Sequence, residues 1–294
     1  MKRYKVYING KMVPAEKASI SVFDGAYLYG EGLFETIRAI GGRIPLLRDH
    51  LRRLYRGAKA LGIPIPTTQE QLAAAITKTL RANRLDDAYI RVNVSAEEAA
   101  LGQRRRRTAD TYIVIITKPP DPYPRRLYRD GARLIIIRDL LNDPVEIARL
   151  KTTNYLVKTL GRRQVLACKA DEGILLNARG HVTECTSSNL FMMRRGTLWT
   201  PSLAEGLIPG VTRKCVLSLA RRLRLPVQEA PLTIKRLETA DEIFITSTLK
   251  GVMPVSRLEQ RRLPAPLPGS VTRQLMVAYA KRIGINSSKK DLAF

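Results

Sequence analysis

Few residues in this chain have the types and spacing to do chemistry, and the foremost is Lys151 in "RLKTTNYLVKTLGRRQ" (149–164). Small polar Thr152 and Thr153 flank it, and Asn154 and Tyr155 follow. It reads either as a reactive amine, able to condense with a carbonyl, or as one more surface cation. Its neighbours Lys158 and Lys169 are expected to be dispensable. The two histidines, His50 and His181, lie far apart and show no HExxH or HxH spacing, which argues against a His-based metal site. A GxSxG elbow, a GxGxxG loop and a GxxxxGK[ST] loop are all absent from the sequence. Cys168, Cys185 and Cys215 form no CxxC pair and are too few for a disulfide framework. An enzyme built from this inventory would work through a lysine or a bound cofactor.

Other stretches offer partners for such a lysine, each with an ordinary alternative. In "AYIRVNVS", Tyr89, Arg91, Asn93 and Ser95 share one face of a strand, with Ile90, Val92 and Val94 on the other. Arg91 there could grip a carboxylate bidentately, or simply face solvent. Glu184 in "HVTECTSSNLF" precedes a cluster of hydroxyl residues and alone would pass for a turn carboxylate. "GLIPGVTRKCVLSLA" puts Gly210, Val211 and Thr212 at a helix start, where free backbone N–H groups favour phosphate. Ser247 and Thr248 in "FITSTLKG" end a strand, as phosphate contacts or as a plain strand end.

The elements that must position these residues fall into two halves. "YKVYINGKMVPA" predicts a hairpin around Asn9-Gly10. Leu47, Leu51, Leu54, Ala58 and Leu61 mark one face of a helix over 46–61, and a second helix is expected over 69–82. Strands follow at "AYIRVNVS" and "TYIVIIT", and the Pro-rich "KPPDPYPRR" reads as an interdomain linker. In the second half the lysine segment is expected on a helix. Strands are expected at "ARLIII", "GILLN", "HVTE", "NLFMM", "TLWT" and "EIFITS", and helices at "PGVTRKCVLSLARRL" and "VTRQLMVAYAKRI". The pattern is α+β with long meanders rather than regular βαβ alternation. Boundaries are expected at 1–118 for a small α/β domain, 119–130 for the linker and 131–294 for a larger β-rich domain.

Length and composition are compatible with this: 294 residues, 45% apolar and 26% charged, suit a globular protein with a sizeable core. The opening "MKRYKVYING" reads as a strand, not a signal peptide, and no run of about 18 apolar residues suggests a membrane span. Cytoplasm is therefore the default expectation. The net charge of +25 is spread along the chain, with one knot at Arg104–Arg107. It alternates with no aromatics and accompanies no nucleic-acid-binding signature, so it reads as a solvated surface or as steering of acidic ligands.

Taken in series, "YLYGEGLFETIR", "RDHLRRLY", "DAYIRVNVS", "LKTTNYL", "GHVTECTSSNLF", "GLIPGVTR" and "DEIFITSTLKGVMPV" resemble the class IV aminotransferase family, the fold-type IV pyridoxal-phosphate enzymes. The resemblance covers nearly the whole chain. It implies a two-domain α+β fold with pyridoxal 5′-phosphate between the domains and Lys151 as the Schiff-base lysine that later moves the substrate proton. It further implies Glu184 at the pyridine nitrogen, Tyr155 at the ring 3-oxygen, and Arg53, Val211, Thr212, Ser247 and Thr248 around the phosphate. Tyr29, Phe34, Thr36, Tyr89, Arg91 and Leu249 would line the substrate. The block holding Tyr29 reaches a neighbouring subunit in this family, which implies a homodimer or higher homo-oligomer. Amino acids and 2-oxo acids would be the substrates, with no specific nucleic acid and no membrane.

Within the family, the Tyr89–Arg91 face and "KTTNYL" are similar to branched-chain aminotransferases. Thr36 stands where those enzymes usually have glycine, and "STLKGVMPV" lacks their usual Ala-Ala-Glu. With "TPSLAEGLIPGVTR", these resemble 4-amino-4-deoxychorismate lyase. D-amino-acid aminotransferase is a third alternative. The expectation is transamination between a branched-chain or related amino acid and a 2-oxo acid such as 2-oxoglutarate, with the lyase as runner-up.

Overall fold

A computed structural model describes residues 4–96, 111–143 and 145–285, and the Arg104–Arg107 run lies outside them. The chain divides into two compact units. One comprises Met1–Asp121 with Lys151–Tyr155, the other Pro122–Leu150 with Leu156–Phe294. The division falls at Asp121/Pro122, inside the stretch expected as linker, and the lysine segment returns to the first unit.

The first unit opens with strands β1 (Lys5–Ile8) and β2 (Lys11–Pro14). Asn9 and Gly10 between them take φ of 43° and 89°, the two positive values that a tight hairpin turn needs. Next come helix α1 (Gly25–Tyr29), strand β3 (Gly32–Ala39), helices α2 (Leu47–Leu61) and α3 (Gln69–Asn83), and strands β4 (Ala88–Ala96) and β5 (Thr111–Lys118). The strands form an antiparallel sheet in the order β2-β1-β5-β4-β3. Helix α2 follows its apolar periodicity and stops at Gly62, which takes the left-handed conformation that ends helices. Helix α3 starts from a capping box between Thr68 and Gln71. Gly57 lets α2 approach β3 closely, since a Cβ there would stand 3.1 Å from Leu33. Alternation along β3 then turns Leu33, Glu35 and Ile37 towards α2, and Phe34, Thr36 and Arg38 to the opposite face.

The second unit contains α4 (Arg126–Asp130), β6 (Ala132–Leu141), α5 (Val145–Ala148), α6 (Leu156–Ala167), β7 (Glu172–Leu176), β8 (Val182–Cys185), β9 (Asn189–Arg194) and β10 (Thr197–Thr200). It continues with α7 (Val211–Arg222), β11 (Val227–Glu229), α8 (Ile234–Leu237), β12 (Glu242–Ser247), β13 (Gly251–Leu258), β14 (Arg261–Arg262) and α9 (Ser270–Ile283). Its mixed sheet runs β11-β10-β9-β12-β13-β6-β7-β8, with β14 paired to β13. The central strands carry buried apolar runs, Leu190–Met193 on β9 and Ile243–Ile245 on β12, with Phe191 stacked on Phe244 at 4.9 Å between ring centres.

The lysine segment departs from expectation. Lys151 is not helical: α6 begins only at Leu156. β-Branched Thr152 and Thr153 favour extended backbone, and the segment lies against the start of β3 as a short antiparallel bridge, Thr152 opposite Leu33. The Thr153 N–H donates to the Gly32 carbonyl at 2.8 Å and the Thr153 hydroxyl to the Gly30 carbonyl at 2.8 Å. Gly32 is required at this crossing, because a Cβ would fall 2.8 Å from Ala26 and 3.0 Å from Thr153 Oγ1.

Candidate active site

In the first unit the Lys151 segment meets the polar face of β3 and β4. The Phe34 N–H donates to the Lys151 carbonyl at 2.9 Å, and the Lys151 amine stands 4.2 Å above the Phe34 ring centre. Tyr155 meets Phe34 edge-to-face at 5.2 Å, with its own ring centre 5.4 Å from the amine. The Arg91 guanidinium covers Phe34 at 3.3 Å, and Arg91 Nε donates to Asn93 Oδ1 at 2.9 Å. Burial lowers the Arg91 pKa. The strand register sets Thr36 opposite Arg91 and Arg38 opposite Tyr89. Lys151, Tyr155, Phe34 and Arg91 are thus one cluster, with Thr36 and Tyr89 on the same sheet face. Tyr29 is exposed, on α1.

Arg53 is placed differently, on the α2 side of β3. Its Nε and Nη2 donate to the two Glu35 oxygens at 2.7 and 2.6 Å, and His50 Nδ1 lies 2.8 Å from the same carboxylate. Burial by itself would raise the Glu35 carboxyl. The Arg53 charge and its hydrogen bonds, with those of His50, outweigh burial and hold the pKa at about 2. Burial pushes the His50 pKa down. Sequence reading quoted Glu35 within "FETIR" without giving it a role. An acid in the middle of an otherwise buried strand was the available signal.

In the second unit Glu184 is buried on β8 and is no turn carboxylate. Lys158 on α6 donates to its Oε1, and Asn189 Nδ2 donates to Oε2 at 3.3 Å. Lys158, expected to be dispensable, is thus the buried partner of that carboxylate. It lies on the buried face of α6 with Gly161 and Val165, three and seven residues on. A Cβ on Gly161 would meet Thr186 at 2.9 Å, so α6 runs close against the turn that follows β8. Asn189 also donates to the Ile208 carbonyl at 3.0 Å, and its carboxamide would collide with any Cβ on Gly210. Glu184 and the start of α7 are thereby tied through one side chain.

Gly210 caps α7 without a side-chain hydrogen bond, and Val211 and Thr212 are buried in its first turn. Helix-start N–H groups at such a position have no intrahelical acceptor and favour an anion. Ser247, the last residue of β12, and Thr248 and Leu249 in the turn after it are half-buried. Lys250 closes that turn: its N–H donates to Ser247 Oγ at 3.2 Å. Its amine reaches Glu172 at 2.7 Å, together with Ser187 and Ser188. Burial opposes charge on both partners, yet the Lys250–Glu172 attraction prevails, raising the lysine pKa and holding Glu172 at about 2. Lys250 and Glu172 are 78 residues apart, a pairing that sequence spacing does not announce.

The donor types fit pyridoxal phosphate: an amine for its aldehyde, a buried carboxylate for its ring nitrogen, a phenol, and an uncapped helix start with nearby hydroxyls for its phosphate. Gly210 carries no side chain at that helix start because the Asn189 carboxamide fills the space a Cβ would take. Fold and donor set define the fold-type IV class of pyridoxal-phosphate enzymes, with a smaller N-terminal unit and a larger, β-rich C-terminal one. The chain belongs to the class IV aminotransferase family, whose model, "Amino-transferase class IV", matches residues 32–258. A Methanocaldococcus jannaschii protein provisionally named a branched-chain-amino-acid aminotransferase is 38% identical over 273 residues, covering 92% of this chain and 93% of its own. Bacillus subtilis aminodeoxychorismate lyase is 30% identical over 280 residues, covering 95% and 94%. Thermoproteus uzoniensis branched-chain aminotransferase, solved with norvaline, superposes with a TM-score of 0.88 at 31% identity, over 97% of this chain and 96% of that one. This protein is a pyridoxal-phosphate-dependent enzyme of aminotransferase or lyase chemistry. Among the described residues, no helix is long and apolar enough to cross a membrane.

Proposed function

We propose that this enzyme transfers the amino group of a branched-chain or related amino acid to a 2-oxo acid such as 2-oxoglutarate. The observation that carries the reading is the Lys151 cluster: an amine beside an apolar ring that is covered by the Arg91 guanidinium. An apolar surface next to a cation suits an amino acid with a hydrocarbon side chain and a carboxylate. The Methanocaldococcus and Thermoproteus relatives support the same substrate class.

Pyridoxal phosphate, when bound, supplies the electron sink that makes the substrate's Cα–H acidic. Lys151 Nζ would hold the cofactor covalently and, when free of it, would take the substrate's Cα proton as a base. Glu184 would keep the ring nitrogen protonated. Tyr155 would bond the ring 3-oxygen, and the Val211 and Thr212 amides, Ser247 and Thr248 would hold the phosphate, with Arg53 assisting from its bidentate pair with Glu35. Phe34, Thr36, Tyr89, Arg91, Leu249 and Tyr29 shape the substrate side.

A second reading, 4-amino-4-deoxychorismate lyase, is favoured by the Thr36 hydroxyl residue standing opposite Arg91 and by the Bacillus relative. The purified holoenzyme given a panel of L- and D-amino acids separates these readings. Transamination bleaches the visible chromophore with branched-chain L-amino acids, and only a keto acid restores it. Bleaching with D-alanine alone would replace the substrate class. Acceptor-free release of pyruvate and 4-aminobenzoate from aminodeoxychorismate would establish the lyase. We further propose a homodimer. Ile20, Val22, Phe23, Tyr27 and Tyr29 are all exposed within ten residues, an apolar surface suited to a second copy. Sedimentation of the holoenzyme tests this, and a monomer would refute it.

A further inference from the structure

Lys158 has no part in the reaction derived above, yet it touches the acid on which that reaction depends. Its side chain is 8% exposed and Glu184's is 4% exposed, so water does little to screen the pair. Packing does not demand a cation here. The same face of α6 continues through Gly161 and Val165, so the cation answers to the buried Glu184 charge rather than to the packing of the helix. Arg213 on α7, which also feels the Glu184 charge, pairs with Glu229 at 2.8 Å. Lys250, which acts on neighbouring Cys185, pairs with Glu172 at 2.7 Å. Cys185, the next residue on β8, carries a thiol that burial pushes well above its ordinary pKa and keeps neutral. Lys158 is therefore the cation placed directly on Glu184.

We propose that Lys158 is a positioning residue that partly neutralises Glu184, and thereby lowers the pH up to which the cofactor's ring nitrogen stays protonated. The proposal rests on the reading that Glu184 faces that nitrogen. A carboxylate oxygen has two lone-pair directions, so Glu184 can accept from Lys158 and Asn189 and still take the ring N–H. Its negative charge is then shared between two cations, and its hold on the ring proton weakens. Electron withdrawal by the ring falls off as pH rises through that lowered midpoint. Lys158 thus acts on the ring nitrogen only through Glu184.

The test uses holoenzyme reconstituted with pyridoxal phosphate carrying nitrogen-15 in the ring, whose NMR shift reports protonation directly and independently of turnover. Removing the cation in Lys158→Met should raise the ring-nitrogen midpoint by about one to two pH units. Lys158→Gln, which keeps a hydrogen-bond donor and serves should the methionine variant not fold, should move the same way. Lys158→Arg should restore the wild-type midpoint. Glu184→Gln should move it in the opposite direction, downwards. A midpoint unchanged in Lys158→Met and Lys158→Gln while Glu184→Gln lowers it would overturn the inference and leave the Glu184 reading intact. A midpoint unmoved by Glu184→Gln would remove that reading and the inference with it. A wild-type ring nitrogen protonated throughout the protein's stable pH range would also count against Lys158, which would then be withholding nothing.

Discussion

Lys151 and Phe34 are joined twice. The Phe34 N–H bonds the Lys151 carbonyl at 2.9 Å, and the Lys151 amine stands 4.2 Å over the Phe34 ring. The backbone bond fixes where the lysine leaves the chain, and the ring limits where its amine can go. A near-attack geometry benefits from such restraint on both ends of a flexible side chain. Lys151→Ala should leave the fold intact, because the bridge to β3 uses only backbone atoms. Turnover should fall by at least about 10³-fold, about 4 kcal/mol of barrier. Steady-state assays with circular dichroism as the folding control check this, and a folded, active variant would show another group carries the chemistry.

Glu184→Gln removes the charge that retains the ring proton while keeping a side chain that can still bond Asn189. We expect turnover to drop by at least about 10²-fold, about 2.7 kcal/mol, with cofactor retention largely preserved. Parallel measurement of kcat and of cofactor dissociation distinguishes the two effects. Equal loss of both would mean that Glu184 serves binding rather than proton retention.

The first unit should be acid-sensitive for a definable reason. Arg53 and His50 hold the Glu35 pKa at about 2 in the folded protein, below the ordinary 4.5, so the carboxyl binds fewer protons folded than unfolded. Its contribution, about 3 kcal/mol, is fully present above pH 4.5 and is lost as pH falls towards 2. His50, whose folded pKa is lowered, adds loss in the same direction once pH drops below its unfolded value of 6.5. Denaturant titrations from pH 7 to pH 2 should show this decline. Glu35→Gln should be less stable at neutral pH and visibly flatter in acid; a slope unchanged by the substitution would mean the triad is not the sensor.

Thr36 separates the two leading reactions. Opposite Arg91, it either narrows an amino-acid pocket or donates a hydroxyl to a departing ether oxygen. For a transaminase, Thr36→Gly should retain amino transfer and accept bulkier side chains, with kcat/KM for the largest substrates rising several-fold. For a lyase, the same variant should lose about tenfold or more of pyruvate release. The two assays on one purified variant give opposite signs.

Much of this architecture was legible where local pattern and local structure agree. The apolar spacing from Leu47 to Leu61 marked α2 to within a residue, and Asn9-Gly10 marked the first hairpin. Glu184, Thr212 and Arg91 stood in motifs whose chemistry could be named. What failed was non-local. The lysine segment reads as helical because helical residues follow it, but its bonds go to β3, more than a hundred residues earlier. Lys158 drew no partner from the sequence, although its spacing with Gly161 and Val165 marks a buried face of α6. Lys250 and Glu172 each look ordinary alone, and only the folded sheet brings them together.

Among the described residues, three lysines have a claim to the cofactor on burial or chemistry: half-buried Lys151, and buried Lys158 and Lys250. Borohydride reduction of the holoenzyme fixes a Schiff base irreversibly to whichever amine forms it, and peptide mapping by mass spectrometry then locates the label. The account predicts the pyridoxyl group on Lys151 alone. A label on Lys158 or Lys250, or no label on any lysine, would contradict it.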